Sequence, residues 1–394
     1  MADLRRLAIY CGAFIGPLSG NAVLSLVPVL KDSFHSSAPD VIISVSFFML
    51  PFAFFMLFTG SISDVLGKKF VLSVGFVTYA LGGIGSGLSP NLESFYLFRF
   101  VQGIGFAFVQ PTLISMLGDI VSPREVGRAM GIFGAASTAG IALGPFIAGY
   151  ISLVDWRLTF FLVSFLAILI YIMFLIAFKG VVEKKLPGGI HAFRSALVGG
   201  FRYRSVIYLS LAGLLTFLSY GGTISFISDT LSLAPLSFSP ENIGVIMAGA
   251  GIAGMFVAPI GGTMVDRLGR LWAAGIGIGV MIFAFFLFTQ ANSFLSYLGS
   301  MAVLGSGSSI VWSSLLTLTV EVVPERKGTV SSIFNSARYF GYSMAPVVFT
   351  PLYMAFSIDA IHISGMAIAA LALAATYLAV KNAKLKESWH PNHR

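Results

Sequence analysis

The chain is divided into apolar runs of membrane-crossing length with short polar gaps between them. That pattern leaves few folds open. A bilayer span needs roughly 20 mostly apolar residues. Such runs lie near 7–29, 41–62, 70–88, 93–118, 126–152 and 157–178, and again near 205–229, 240–263, 271–290, 294–320, 328–353 and 360–380. In hydrocarbon every backbone amide and carbonyl must bond within the protein, so each run is read as a helix. The pattern predicts an all-α membrane protein with twelve transmembrane helices. Composition argues against a soluble alternative: only 10% of the 394 residues are charged, where a soluble globule carries about 25%.

The opening "MADLRRLAIYCGAFIGPLSGNAVLSLVPVL" has the basic start of a signal peptide. Its apolar stretch exceeds the usual length and no small-x-small cleavage site ends it, so it is read as an uncleaved first helix. Basic residues then set the orientation, because cytoplasmic gaps are rich in Lys and Arg. If the amino-terminal side is inside, the outer gaps hold only Lys31 and Arg157, and Arg99 and Arg338 fall within spans. Every other Lys and Arg lies inside. Both termini are therefore expected in the cytoplasm, in a cell membrane. The expected divisions are an N-terminal six-helix bundle at 1–178, a cytoplasmic linker at 179–204, a C-terminal bundle at 205–380 and a cytoplasmic tail at 381–394. The net charge of +8 is spread through these gaps rather than gathered on one soluble face, which excludes a nucleic-acid partner.

The two halves echo each other. "GSISDVLGKK" at 60–69 corresponds to "GTMVDRLGRL" at 262–271. Gly127, Gly140, Gly144 and Pro145 correspond to Gly328, Gly341, Ala345 and Pro346, and the preceding turns "DIVSPREVG" and "EVVPERKG" differ by one deletion. Offsets near half the chain length predict two pseudo-symmetric six-helix bundles. Paired bundles are a transporter architecture with a substrate site near the midplane between them.

Other function classes lack their residues. No H-E-x-x-H, Cys–His pair or G-x-S-x-G elbow lies in the spans, so no enzyme is expected. No G-x4-G-K-[ST] is present for nucleotide-driven pumping. The single Cys11 and five histidines without ligand spacing predict no metal site.

The chain resembles the major facilitator superfamily over nearly its whole length, and within it the twelve-helix drug:proton antiporters. The residues carrying the resemblance are Gly60, Ile62, Ser63, Asp64, Gly67, Lys68 and Lys69 in the loop after helix 2, then Arg99, Gln102, Gly103 and Gly105 in helix 4. In helix 5 they are Gly131, Gly140, Gly144, Pro145, Ala148 and Gly149, the pattern of exporters. Val65 departs from the family's arginine, and Leu271 from a basic residue in the second copy. The resemblance implies a secondary transporter working by alternating access: proton-coupled export of small lipophilic or amphiphilic compounds, of the multidrug efflux type. The alternative is proton-coupled uptake or exchange of an organic anion or sugar-like solute. Its partners would be the small-molecule substrate, protons and the lipid bilayer. A proton gradient is the energy source, no cofactor is needed, and the working unit is taken as a monomer.

By the same resemblance, a substrate cavity would be lined by Asn21, Gln102, Gln110, Phe217, Tyr220, Trp312, Asn335 and Arg338, with Phe226 as a further wall. A cytoplasmic gate would comprise Gly60, Asp64, Gly67, Lys68 and Asp119, repeated as Asp266, Arg270 and Glu321. Lys68 would pair with Asp119 and Arg270 with Glu321, as clasps that hold the cytoplasmic side shut in the outward-facing state. The Lys68 clasp is expected to be the looser, since an ammonium lacks the bidentate fork of a guanidinium. Asp64 would sit near the amino end of helix 11, around Gly328–Val330, where unpaired amides and the helix dipole favour a carboxylate. Arg99 is assigned to proton handling or interhelical anchoring, and lies shallow enough to snorkel outward. Arg338, near the midplane, has three open readings: an anchor to backbone carbonyls, a charge tuning a proton site, or a contact to an anionic substrate. The stripe Gly140, Gly144 and Ala148 allows close helix packing, and Pro145 can bend its helix. No carboxylate falls at the midplane: helix 1 has Asn21, Glu93 and Asp119 bound helix 4, and Asp229 ends helix 7. The proton carrier is not identified at this level.

Overall fold

A computed structural model describes residues 2–122, 125–181, 201–323 and 327–383. The linker expected at 179–204 and the tail at 381–394 lie largely outside the described residues, as do parts of the two turns before helices 5 and 11.

Twelve helices account for the described residues: α1 (Ala2–Ser33), α2 (Ala38–Leu66), α3 (Lys68–Leu88), α4 (Leu92–Ile120), α5 (Val126–Ile151) and α6 (Arg157–Ala177), then α7 (Arg204–Ser232), α8 (Pro240–Leu268), α9 (Arg270–Gln290), α10 (Phe294–Glu321), α11 (Lys327–Phe356) and α12 (Ile358–Asn382). Most run a few residues beyond the apolar segments that announce them. Eleven are long and apolar enough to cross a membrane. The exception, α11, is 30 residues long but carries Ser331, Ser332, Asn335, Ser336 and Arg338 in its interior. Consecutive crossings return the chain to the side it starts from. That side is the terminal face, and the opposite one the far face.

Prolines interrupt several helices, and neighbours repair the damage. Proline has no N–H, so it orphans the carbonyl four residues earlier. Pro111 in α4 frees the Ala107 carbonyl, and Thr59 of α2 donates to it at 2.8 Å. Pro17 in α1 frees the Ala13 carbonyl, and Ser137 of α5 donates to it at 3.3 Å. Hydroxyls on adjacent helices are a recurrent way of satisfying such groups in lipid.

The duplication is visible in the coordinates. Gly67 joins α2 to α3 at φ 99°, and Gly269 joins α8 to α9 at φ 87°. Both one-residue turns use a backbone conformation that only glycine adopts cheaply. A Cβ on Gly140 would lie 2.3 Å from the Phe14 carbonyl oxygen, and one on Gly341 would lie 2.2 Å from that of Leu214. Thus α5 presses on α1 as α11 presses on α7, backbone to backbone. Among the described residues, Lys68 bonds Asp119 and Arg270 bonds Glu321 at matching places in the two halves.

Between bundles, two antiparallel seams hold the far side together. In the first, α5 meets α8: a Cβ on Gly149 would lie 2.5 Å from the Pro240 oxygen, one on Gly244 would lie 2.6 Å from that of Pro145, and one on Gly251 would lie 2.5 Å from the Ala142 Cβ. In the second, α2 meets α11: Ser46 donates to the Ser343 carbonyl at 2.6 Å and Ser336 donates back to the Ala53 carbonyl at 2.7 Å. Continued towards the terminal face, these registers reach Gly131 with Gly262 and Gly60 with Gly328. A Cβ on any of the four would meet nothing within 4 Å. Both seams are apart by the terminal ends of their helices, so the bundles are closed on the far side and splayed on the terminal side.

Candidate functional site

Arg338 lies about 16 Å along α11 at 1.5 Å per residue, deeper than the open glycines Gly60 and Gly328. Its guanidinium carbon lies 3.7 Å from the ring centre of Trp312 on α10, 4.1 Å from that of Tyr339 and 4.7 Å from that of Phe217 on α7. Arg338 makes no hydrogen bond or ion pair among the described residues, so the anchoring option is not realised here. It is 8% exposed. Its Nε is enclosed without a partner, whereas the terminal nitrogens keep some exposed surface. A lone cation at depth costs several kcal/mol. Each desolvated cation–π contact returns about 1–2 kcal/mol, enough for three rings to hold this one without an acid.

Around this aromatic box stand other expected residues. Tyr220 lies 6.2 Å from Phe217 and 6.4 Å from Tyr342, ring to ring. Tyr342 donates to the Asn21 side chain on α1 at 3.3 Å, linking the bundles. Tyr339 packs edge-on against Phe52 of α2 at 4.5 Å. Asn335 is half-buried and turns its amide back to the Ser331 carbonyl. Gln110 is nearly buried and makes no hydrogen bond among the described residues. Two expected wall residues are elsewhere. Gln102 is fully enclosed in the N-terminal bundle against the backbone of Gly82, and Phe226 is fully buried beside Tyr353. Tyr339 and Tyr342 escaped the sequence reading. Their signal was the spacing 335, 338, 339, 342, one stripe on a helix face.

Arg99 does not snorkel. It is completely buried and points into its own bundle. Its Nη1 donates to Gln102 Oε1 at 2.7 Å and to Ser19 Oγ at 3.3 Å, and its head lies 4.3 Å from the Phe48 ring centre. Helices α1, α2 and α4 are tied together through this one side chain. Ring and hydroxyl partners on neighbouring helices outcompete the route to the headgroups.

At the terminal face, Lys68 Nζ lies 2.5 Å from Asp119 Oδ2. Arg270 engages Glu321 through both Nε and Nη2, a bidentate fork. Contrary to the expectation of clasps that shut this side, each pair joins two helices of one bundle and stands while the terminal side is splayed. Asp64 is half-exposed and Asp266 exposed, and neither forms a hydrogen bond or ion pair among the described residues. With Gly60 and Gly328 both facing open space, the expected meeting of Asp64 with the start of α11 is absent in this arrangement. On α5, Gly140 and Gly144 abut α1, Gly149 abuts α8, and Gly131 is open. The Pro145 carbonyl accepts from Ser25 of α1 at 2.8 Å.

At the far face, sequence reasoning missed a cross-bundle pair. Lys31 of α1 meets Asp229 of α7 at 2.9 Å, and Tyr353 of α11 donates to the other carboxylate oxygen at 2.7 Å. Asp229 is the one buried carboxylate among the described residues.

Comparisons agree with this architecture. The chain is 26% identical to the "Uncharacterized MFS-type transporter YceJ" of Bacillus subtilis over 83% of this chain and 84% of that protein. It is 20% identical to the "Quinolone resistance protein NorA" of Staphylococcus aureus over 89% and 92%. A bacterial homologue of the human lysosomal transporter Spinster, solved in an inward-facing and unoccupied conformation, superposes with a TM-score of 0.73 at 17% identity over 99% of both chains. A peptide transporter, POT, in complex with sulfate gives 0.76 at 13% over 97% of this chain and 95% of that one. The family profile described as Major Facilitator Superfamily matches residues 9–346. With that match over most of its length, and with two bundles enclosing a central site, the chain belongs to the Major Facilitator Superfamily of membrane transporters.

Proposed function

We propose that this transporter exports small lipophilic or amphiphilic compounds from the cytoplasm, driven by inward proton flow. The observation that carries the reading is the pair of seams that close the far side and part on the terminal side, with a cluster of half-buried rings around Arg338 between the bundles. Alternating access needs one such closed and one such open side. The bias of Lys and Arg to the terminal face supports a cytoplasmic position for it, so this arrangement loads from inside. The exporter-type pattern on α5 and the likeness to a quinolone resistance protein support the direction. A chamber walled by Phe217, Tyr220, Trp312 and Tyr339 suits flat apolar bodies. In this reading Lys68–Asp119 and Arg270–Glu321 brace the cytoplasmic ends of their own bundles, and Asp64 closes onto α11 in the outward-facing state. Arg99 and Arg338 tune proton handling, and the protein works as a monomer in the cell membrane.

The test is efflux from proteoliposomes loaded with a panel of lipophilic dyes under an imposed pH gradient. Export of at least one dye that collapses when the gradient is dissipated is expected. No gradient-dependent movement of any dye in either direction would sink the reading.

A further inference from the structure

We infer that Arg338 and its aromatic box bind the anionic head of the transported compound, so that the preferred substrates are amphiphiles with a carboxylate or sulfonate on a flat apolar body. This rests on the transporter reading above but not on its direction. The guanidinium is nine-tenths buried, has no hydrogen bond and no acid beside it, and its terminal nitrogens keep some exposed surface. Every described carboxylate lies in a connection or near a helix end, so none can reach it at depth. The close neighbours of Arg338 are the rings of Trp312, Tyr339 and Phe217, and none of its N–H donors forms a hydrogen bond among the described residues. Those donors form a fork that matches a carboxylate bidentately. Half-buried Tyr220 and Trp312 beside it offer surfaces on which an attached ring system can stack. The same uncompensated charge repels cationic amphiphiles, whose attraction would require the acid this chamber lacks.

The test compares three probes on one naphthalene body: 2-naphthylacetate, its neutral amide, and 2-naphthylethylamine. Affinities are read from concentration-dependent thermal stabilisation of the full-length protein in lipid nanodiscs, for wild type, Arg338→Lys and Arg338→Gln. The carboxylate should bind wild type at least tenfold tighter than the amide, about 1.4 kcal/mol, with the amine weakest. Arg338→Gln should erase that preference and Arg338→Lys keep part of it. Equal binding of acid and amide to wild type overturns the proposal whether or not the variants fold, as does a preference that survives in Arg338→Gln. Sulfate stabilising wild type as strongly as the naphthylacetate also overturns it, by reassigning the site to small inorganic anions. If the probes bind alike yet one is transported, the site assignment falls and the transporter reading stands. If the acid binds selectively but nothing crosses the membrane under any gradient, the reverse holds.

Discussion

Lys31 Nζ lies 2.9 Å from Asp229 Oδ1, 198 residues apart in sequence and on opposite bundles. The pair exists only while the far side is shut. Removing one partner strands a charge that is mostly out of water, which is strongly destabilising when burial is complete and less so here, where Lys31 keeps 24% of its side-chain surface. Asp229→Asn or Lys31→Ala should therefore shift the population towards the state open on the far side by roughly 5- to 30-fold, about 1–2 kcal/mol. A cysteine placed at Ser232 in a Cys11→Ser background should label faster with an impermeant maleimide from that side. The exchange Lys31→Asp with Asp229→Lys should restore slow labelling. Unchanged labelling in the single variants would remove the pair from the gate.

Two glycines on one helix should fail in different ways. Gly144 abuts the Leu18 carbonyl of its own bundle, whereas Gly149 abuts the Pro240 carbonyl of the other. Overpacking costs about 1–3 kcal/mol. In Gly144→Val that cost falls on bundle integrity and should appear as a lower melting temperature in both conformations. In Gly149→Ala it falls only on the far-closed state and should appear as a shifted conformational population with stability nearly kept. Equal losses of stability in both variants would contradict the division of the helix into two contact surfaces.

Asp64 has no described partner in this arrangement, so Asp64→Asn should leave its thermal stability unchanged. In the state closed on the terminal face, where Asp64 is expected against the amides that start α11, the carboxylate is worth about 0.3–1 kcal/mol and up to ~2 kcal/mol in partly buried geometry. The variant should thus favour the present conformation and slow transport. Labelling of a cysteine at Gly328 from the terminal side should increase. An unaltered labelling rate would show that Asp64 makes no conformational choice.

Arg6 of α1 donates to Glu125, beside the first turn of α5, at 2.8 Å, and Ser122 donates to the same oxygen at 3.2 Å. The bond from Arg6 and its positive charge hold the Glu125 carboxyl below its ordinary range, with Ser122 adding to the effect. A carboxylate lowered in the folded protein contributes stability that is complete above its unfolded value and is lost as pH falls through the folded one. The tie should be intact at neutral pH and disappear below the usual carboxylate range. Arg6→Ala should raise the Glu125 titration midpoint, measured by carboxyl-carbon NMR. A midpoint indifferent to Arg6 would refute the tie.

The fold was legible because its determinants are local or repeated. Apolar runs of bilayer length mark helices whatever packs beside them, and the offset between Gly67 and Gly269 marks the duplication. The 328–353 run reads as apolar like the rest; among the described helices α11 alone falls short of the apolar stretch that the other eleven reach, and its likeness to α5 is what supports it as a span. The site was legible only in part. Depth along a helix could be counted for Arg99, but the side chain's direction depends on Phe48 and Ser19 from other helices, so the outward path was wrongly left open. The enclosure of Gln102 was hidden for the same reason. The Lys31–Asp229 pair needs the two bundles docked in one particular conformation, and one sequence is shared by every conformation of the cycle.

In the second seam, the hydroxyl bond from Ser336 to the Ala53 carbonyl is followed towards the terminal face by open space at Gly60 and Gly328. It is a single donor on an oxygen, able to swivel within its cone as the bundles tilt, so the level it marks can serve as a fulcrum. Arg338 is two residues from Ser336, and Tyr339 touches Phe52 beside Ala53. A load held at a fulcrum barely moves while the lever ends sweep through their full arc. A compound seated against Arg338 would keep most of its contacts from one half-cycle to the next, and what would alternate is the doorway.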